Sequence, residues 1–337
     1  MRRCVRACMM GILAILLCMQ AACAAKEKPV ERSDFLLDTY VIITIYDSDG
    51  DAAAILNGAM ALCRAYEQQF SRTIAGSDIS RINAANGQAV EVHVETAQVL
   101  EAAMDYSRAS GGFFDVTVGG ASALWNFTGE NPVIPALESI NEALDGVGYE
   151  NIIIEGNTVR LASPRTRLDL GAIAKGYISD QIAAYLSAQG VRSAIVNLGG
   201  NVVTVGERRG GAPWGVGVQK PFAPDGVLAG ILRVPGGAAV VSTGVYERCF
   251  MRDDVLYHHI LDPQTGFPAA SDLYAVTVIT ESGMAADAMG TIVFGLGAEA
   301  GLAYLENVPN AEGVLIGADG QIYTTSGIGG TIGFEPR

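Results

Sequence analysis

The run Asp169-Leu-Gly-Ala-Ile-Ala-Lys-Gly-Tyr177 constrains this chain more than any other stretch. It reads as a buried strand that turns through a glycine straight into a helix. Arg167-Leu-Asp-Leu170 alternates charge with leucine, and Ile178 to Leu186 carries apolar residues at helical spacing. Such a junction brings backbone amides, a carboxylate and a lysine to one point, which suits a phosphorylated ligand. The run is not a Walker loop, because Lys175 precedes Gly176, and it is not a G-x-G-x-x-G turn. Taken by itself it fits a glycine-rich turn in an α/β core equally well.

A chain of 337 residues holds one large domain or two small ones. Half of the residues are hydrophobic, enough for a sizeable core, and 41 glycines imply many tight turns. The formal charge is -14 and no basic run follows residue 30, which argues against a nucleic-acid ligand. The acidic surface itself implies only solvation.

The first residues read as a targeting segment. Met1-Arg-Arg-Cys-Val-Arg6 is basic, Met9 to Met19 is apolar but short for a membrane span, and small residues surround Cys23 before Lys26-Glu-Lys28. The pattern resembles a bacterial lipoprotein signal. It gives residues 1–22 as signal peptide, Cys23 as the lipidated residue, 23–33 as a tether and 34–337 as one domain. Gln20 stands where such signals carry leucine, so ordinary cleavage within Ala22-Cys-Ala24 is the alternative. The body keeps two cysteines, Cys63 in an apolar helical pattern and the distant Cys249. One bridge between them is open, but a disulfide framework or a zinc site is not indicated.

Residues 35–46 predict a first strand and 51–69 a helix. Further helices are expected at 95–108, 135–144, 172–189, 283–295 and 298–306, and a hairpin turns at Gly156-Asn157. Strands are expected at 194–198 and 202–205 around Gly199-Gly-Asn201, then at 214–219, 228–234, 238–242, 257–261 and 273–280. Antiparallel-looking stretches mixed with a few helices predict an α+β fold with mixed, largely antiparallel sheets and flanking helices.

Asp287 and Thr291 lie one helical turn apart and present oxygens on one side, a spacing that suits magnesium. Their apolar company, Ala285, Ala286, Ala288, Ile292 and Val293, demands compensation for the carboxylate. The plain alternative is an Asp and a Thr on an ordinary helix face. His93 reads as a surface residue of a polar-alternating strand. His258 and His259 are adjacent and point to opposite faces of a strand, so they do not share a zinc ion. His258 is expected to be exposed. His259 is the candidate base, or else a structural residue bonded to the Asp262 turn.

These segments do not stand alone. Phe70-Ser-Arg-Thr73, Ser77-Asp-Ile-Ser-Arg-Ile-Asn83, Gly112-Phe-Phe-Asp-Val-Thr-Val-Gly119, the Asp169 run, Tyr257-His-His-Ile-Leu-Asp-Pro-Gln-Thr-Gly-Phe-Pro268 and Ala285-Ala-Asp-Ala-Met-Gly-Thr291 follow one another in order. In that order and spacing they resemble the ApbE family, the FAD:protein FMN transferases, over roughly residues 34 to 330. The resemblance implies a T-fold-like architecture and a magnesium ion held by Asp287, Thr291 and the Ala172 carbonyl. It implies FAD contacts from Leu37, Thr73, Phe113, Phe114, Asp115, Asp169, Lys175, Ile260 and Leu261, with Thr117 and Gly119 beside Asp115. His259 takes the catalytic place.

Several positions depart from the family pattern. Leu37 replaces a frequent methionine, Thr73 a frequent aromatic and Lys175 an acid found in other members. Gly120-Ala-Ser-Ala-Leu-Trp125 lacks the usual proline. The implied activity is magnesium-dependent transfer of FMN from FAD to a threonine hydroxyl, with release of AMP. Acceptors would be flavoprotein subunits of membrane redox complexes, met at the extracytoplasmic face of the inner (plasma) membrane. An FAD pyrophosphatase giving FMN and AMP is the nearest alternative, and a non-catalytic flavin-binding lipoprotein is the alternative from another class.

The leader yields a direct test. Lipidation at Cys23 predicts that the wild-type protein fractionates with membranes and that Cys23→Ser is released. Equal processing and equal release of both forms would show that Gln20 defeats the lipoprotein signal.

Overall fold

The computed structural model describes residues 28–337, except 128, 130 and 209. The signal segment and Cys23 therefore lie outside the described residues. The centre is an eight-stranded antiparallel sheet. Its spatial order is β1 (Val30–Leu36), β2 (Thr39–Ser48), β6 (Val191–Leu198), β7 (Asn201–Val205), β10 (Ala239–Gly244), β13 (Leu273–Thr280), β14 (Glu312–Gly317) and β15 (Ile322–Thr324). Alternation decides which face each strand buries. Val41, Ile43 and Ile45 of β2 are buried on the helix side, and Tyr46 turns to the opposite face.

The helices are α1 (Ala52–Phe70), α2 (Asp78–Ala84), α3 (Val94–Ala109), the short α4 (Gly119–Ser122), α5 (Leu137–Leu144), α6 (Ala174–Ala188) and α7 (Gly283–Glu306). Of these, α1, α6 and the buried side of α7 pack on the central sheet. The other face carries a small sheet of β8 (Trp214–Gln219), β9 (Leu228–Val234) and β16 (Gly333–Pro336). A third sheet joins β3 (Val90–Glu91), β4 (Ile152–Glu155) and β5 (Thr158–Leu161). A separate hairpin pairs β11 (Cys249–Arg252) with β12 (Val255–His258). The expected α+β class with largely antiparallel sheets is the observed one.

Some expectations change. The single strand at 35–46 is a hairpin instead, with Leu37 and Asp38 both at positive φ in a two-residue turn. Strand β1 begins at Val30, inside the segment read as tether. The strand expected at 257–261 ends at His258, and β11, α2 and α4 were not anticipated. His93 is not in a strand. It occupies the N-cap of α3 with an exposed ring whose Nδ1 lies 2.8 Å from Asp78 Oδ2. Both Cys63 and Cys249 are free thiols, so no bridge joins them. The Cys63 thiol is fully buried, and burial pushes it up to about 12.

The junction that opened the sequence reading is held by α7. Asp180 of α6 accepts hydrogen bonds from the Gly283 and Met284 amides, at 2.6 and 3.1 Å, and from the Ser282 hydroxyl at 2.9 Å. Three donors at a helix start satisfy orphan amides and offset the burial that pushes this carboxyl up. The backbones touch where they cross, and a Cβ on Gly176 would lie 2.2 Å from the Gly283 carbonyl oxygen. Helix α7 breaks at Gly297, whose φ of 78° suits glycine, so its two segments match the two helices expected at 283–295 and 298–306. Gly176→Ala is expected to cost ~1–3 kcal/mol through overpacking at this crossing. A denaturant midpoint equal to that of wild type would show that the crossing relaxes freely.

Candidate active site

The crossing of α6 and α7 brings Asp287 to the first turn of α6. The Gly176 amide donates to Asp287 Oδ2 at 2.9 Å, and Lys175 Nζ lies 3.9 Å from Oδ1. Helix α6 begins at Ala174, so Gly176 lies in its first turn, where amides have no partner within the helix, and Asp287 satisfies one of them. Thr291 stands half-buried one turn along α7. Asp287 and Thr291 thus lie on α7, and Ala172 lies just before the start of α6 that Asp287 contacts.

Among the described residues no group of three or more His, Cys, Asp or Glu side chains forms a metal cluster. One carboxylate, one hydroxyl and one carbonyl are hard oxygen donors but too few for a magnesium shell of about six. The donor set thus fits a cation that shares its remaining positions with water and a ligand phosphate. Lys175 also donates to the Gly171 carbonyl at 3.2 Å, which holds its charge over the same turn.

Asp169 anchors a second corner. Its Oδ1 accepts the Gly171 amide at 3.0 Å, and its Oδ2 receives Ser122 Oγ at 3.2 Å and Arg72 Nε at 3.1 Å. Arg72 ties the Phe70-Ser-Arg-Thr73 segment to this junction and leaves Thr73 exposed beside it. Leu37 sits in the hairpin turn, where its amide donates to Glu67 Oε1 at 2.7 Å. The following Thr39 packs against Gly199 in the β6–β7 turn.

Other candidates face inward. Asp115 is buried, and its carboxylate accepts from the Thr117 amide, the Thr117 hydroxyl and the Tyr149 amide at 2.8, 2.6 and 2.9 Å. Those bonds fix the loop, even though burial raises the carboxyl. Phe114 is a core residue, whereas the half-buried Phe113 packs its ring against Gly295 of α7. Ile260 and Leu261 are buried in separate apolar clusters. What these side chains supply locally is shape.

The histidine pair divides between core and cleft. His258, expected to be exposed, is 6% exposed and lies edge-on to Phe294 at 5.5 Å. Sequence alternation separates two neighbours but cannot say which of them faces the core. His259 is reached by solvent although protein crowds it. Its Nδ1 approaches the Arg248 carbonyl at 3.4 Å rather than the Asp262 turn. A carbonyl only accepts, so this contact selects the Nδ1–H tautomer and leaves Nε2 free to take a proton. Burial, then the Arg248 charge, lowers His259 to about 3, and Lys175 adds to the effect.

Sequence reasoning missed Glu247. Burial raises its carboxyl, while Lys175 and Arg248 oppose the rise and Asp287 adds to it. The Lys175 charge is thus felt by Asp287, Glu247 and His259 together. No local pattern marks it, because Glu247 lies in the turn after β10 and meets Lys175 only through tertiary packing.

An α+β scaffold thus gathers Lys175, Asp287, Glu247 and His259 around one helix junction. The ApbE family profile matches residues 37–315, and the chain belongs to the ApbE family. It is 31% identical to the FAD:protein FMN transferase of Treponema pallidum (strain Nichols), covering 94% of this chain and 93% of that protein. It is 34% identical to the FAD:protein FMN transferase of Klebsiella pneumoniae (strain 342), covering 87% and 91%. Among solved structures, the ApbE protein of Thermotoga maritima superposes with a TM-score of 0.81 at 32% identity, over 89% of this chain and 97% of that one. The flavin transferase ApbE of Vibrio cholerae gives 0.78 at 30% identity, over 89% and 97%.

The two histidines make a prediction about acid stability. Burial lowers His258 to about 4 and His259 to about 3, both below the unfolded value of 6.5. Below that value the unfolded chain binds protons that the folded chain refuses. Their contribution is complete above it and is lost as pH falls through the folded values. The denaturant midpoint should fall between about pH 7 and about pH 4.5, and less steeply in His258→Leu. Identical slopes for the two proteins would remove His258 from this linkage.

Proposed function

We propose that this enzyme transfers FMN from FAD to a threonine hydroxyl of an acceptor protein, using magnesium and releasing AMP. The observation that carries the reading is the Gly176–Asp287 bond. It places the Asp287 carboxylate at the first turn of α6, where Lys175 also points. Bound magnesium would supply Lewis-acid stabilisation of the diphosphate, with Asp287, Thr291 and the Ala172 carbonyl as its protein ligands.

Lys175 neutralises charge on the diphosphate oxygens, and Asp169 with Arg72 fixes the opposite corner. The acceptor oxygen bonds to the FMN phosphorus as the bond to the AMP phosphate oxygen breaks. His259 takes the hydroxyl proton on Nε2, and AMP leaves with the electron pair. In the free protein burial, with Arg248 and Lys175 adding to it, holds that imidazole neutral. An anionic ligand answers both charges and so raises the basicity of His259 when it is needed.

The relatives' names support FAD as the FMN donor and a protein as its destination. Export, a Cys23 lipid anchor and acceptors among flavoprotein subunits of membrane redox complexes complete the proposal, motivated by the leader. Exposed Thr73, where a larger ring is common, favours access of water and hence the FAD pyrophosphatase as second reading.

Incubation with FAD, magnesium and a threonine-bearing acceptor, followed by mass analysis, tests both readings. Transfer predicts an acceptor heavier by FMN, and hydrolysis predicts free FMN and AMP with the acceptor unchanged. His259→Ala should retain FAD binding yet slow turnover by at least ~100-fold. Equal loss of binding and rate would make His259 structural. Full activity in Asp287→Ala, or in chelator-treated enzyme, would reject the metal assignment.

A further inference from the structure

We infer that Asn201 is an additional ligand-binding residue, whose side-chain amide donates to an oxygen of the bound dinucleotide. The inference rests on the FAD site proposed above. Asn201 opens β7 directly after the two-residue turn Gly199-Gly200, opposite Leu198 on β6 and Val241 on β10. It is 1% exposed, yet its Nδ2 has no hydrogen-bond partner. An unmade bond to a buried amide donor costs free energy that packing alone does not return, so it needs an explanation.

Its position supplies one. Along β7, Val203 and Val205 pack into the helix-side core and Val202 packs toward the small sheet, so Asn201 belongs to the helix side. On that side Val241 faces α7, and Thr243 lies against Gly290 between the two candidate metal ligands of that helix. The turn before Asn201 borders the site from the other direction. A Cβ on Gly199 would strike Thr39 beside Leu37, and a Cβ on Gly200 would come 3.9 Å from Glu247 Oε1. Glu247 in turn senses Lys175 and Asp287. The orphan donor therefore lies beneath the wall between the Leu37 turn and the helix junction. A dinucleotide brings phosphate, ribityl and carbonyl oxygens, acceptors of the kind this amide lacks.

Calorimetric titration of magnesium-loaded protein with FAD tests the inference on wild type, Asn201→Leu and Asn201→Ala. Leucine keeps the γ-branched shape and removes the unpaired donor. It is expected to unfold no more easily than wild type without ligand, yet to bind FAD at least ~10-fold more weakly. Asn201→Ala should show the same loss of affinity if leucine disturbs packing. Unchanged FAD affinity in both variants would overturn the inference, and so would lowered ligand-free stability with intact affinity. Failure of wild type itself to bind FAD would reject the proposed function and this inference with it.

Discussion

One hydrogen bond organises the functional half of the molecule, the Gly176 amide on the Asp287 carboxylate. It forms because two helices approach closely enough that a side chain at Gly176 would collide with the Gly283 backbone. The same crossing is locked from the other side by Asp180, which caps α7. The Gly176 amide is one of the orphan donors at the start of α6, and a carboxylate from the crossing helix satisfies it.

Electrostatics follow from that packing. The walls around the junction carry Asp287, Glu247, Lys175, Arg248 and His259 within mutual influence. Burial keeps His259 uncharged and opposes ionisation of Glu247. In the proposed reading, a ligand that brings both an anion and a hard cation would compensate this set more fully than either alone.

Much of this was legible from residue order, for identifiable reasons. The Gly156-Asn157 hairpin and the two halves of α7 were readable because glycine marks where a chain must turn or break. The Leu37-Asp38 turn was not, because leucine seldom adopts positive φ, and a sheet register imposed it. His258 was misplaced because a two-residue period gives opposition without direction. The inward use of Asp115 depends on Tyr149, 34 positions away, and the gathering of Glu247 with Lys175 depends on tertiary packing. Neither relation has a local signature.

The early start of β1 carries a consequence for reach. Strand β1 begins at Val30 and runs to Leu36, just before the turn that holds Leu37. With an anchor on Cys23, the leash from that residue to the fold spans ~25 Å at full extension. The strand itself adds about the same again before the chain arrives at the cleft. The catalytic end of the molecule would then sweep a shell no more than ~50 Å above the lipid surface. Under the proposed anchor and the proposed threonine acceptor, only acceptors inside that shell would be served, and the length of β1 would act as a physical filter on them.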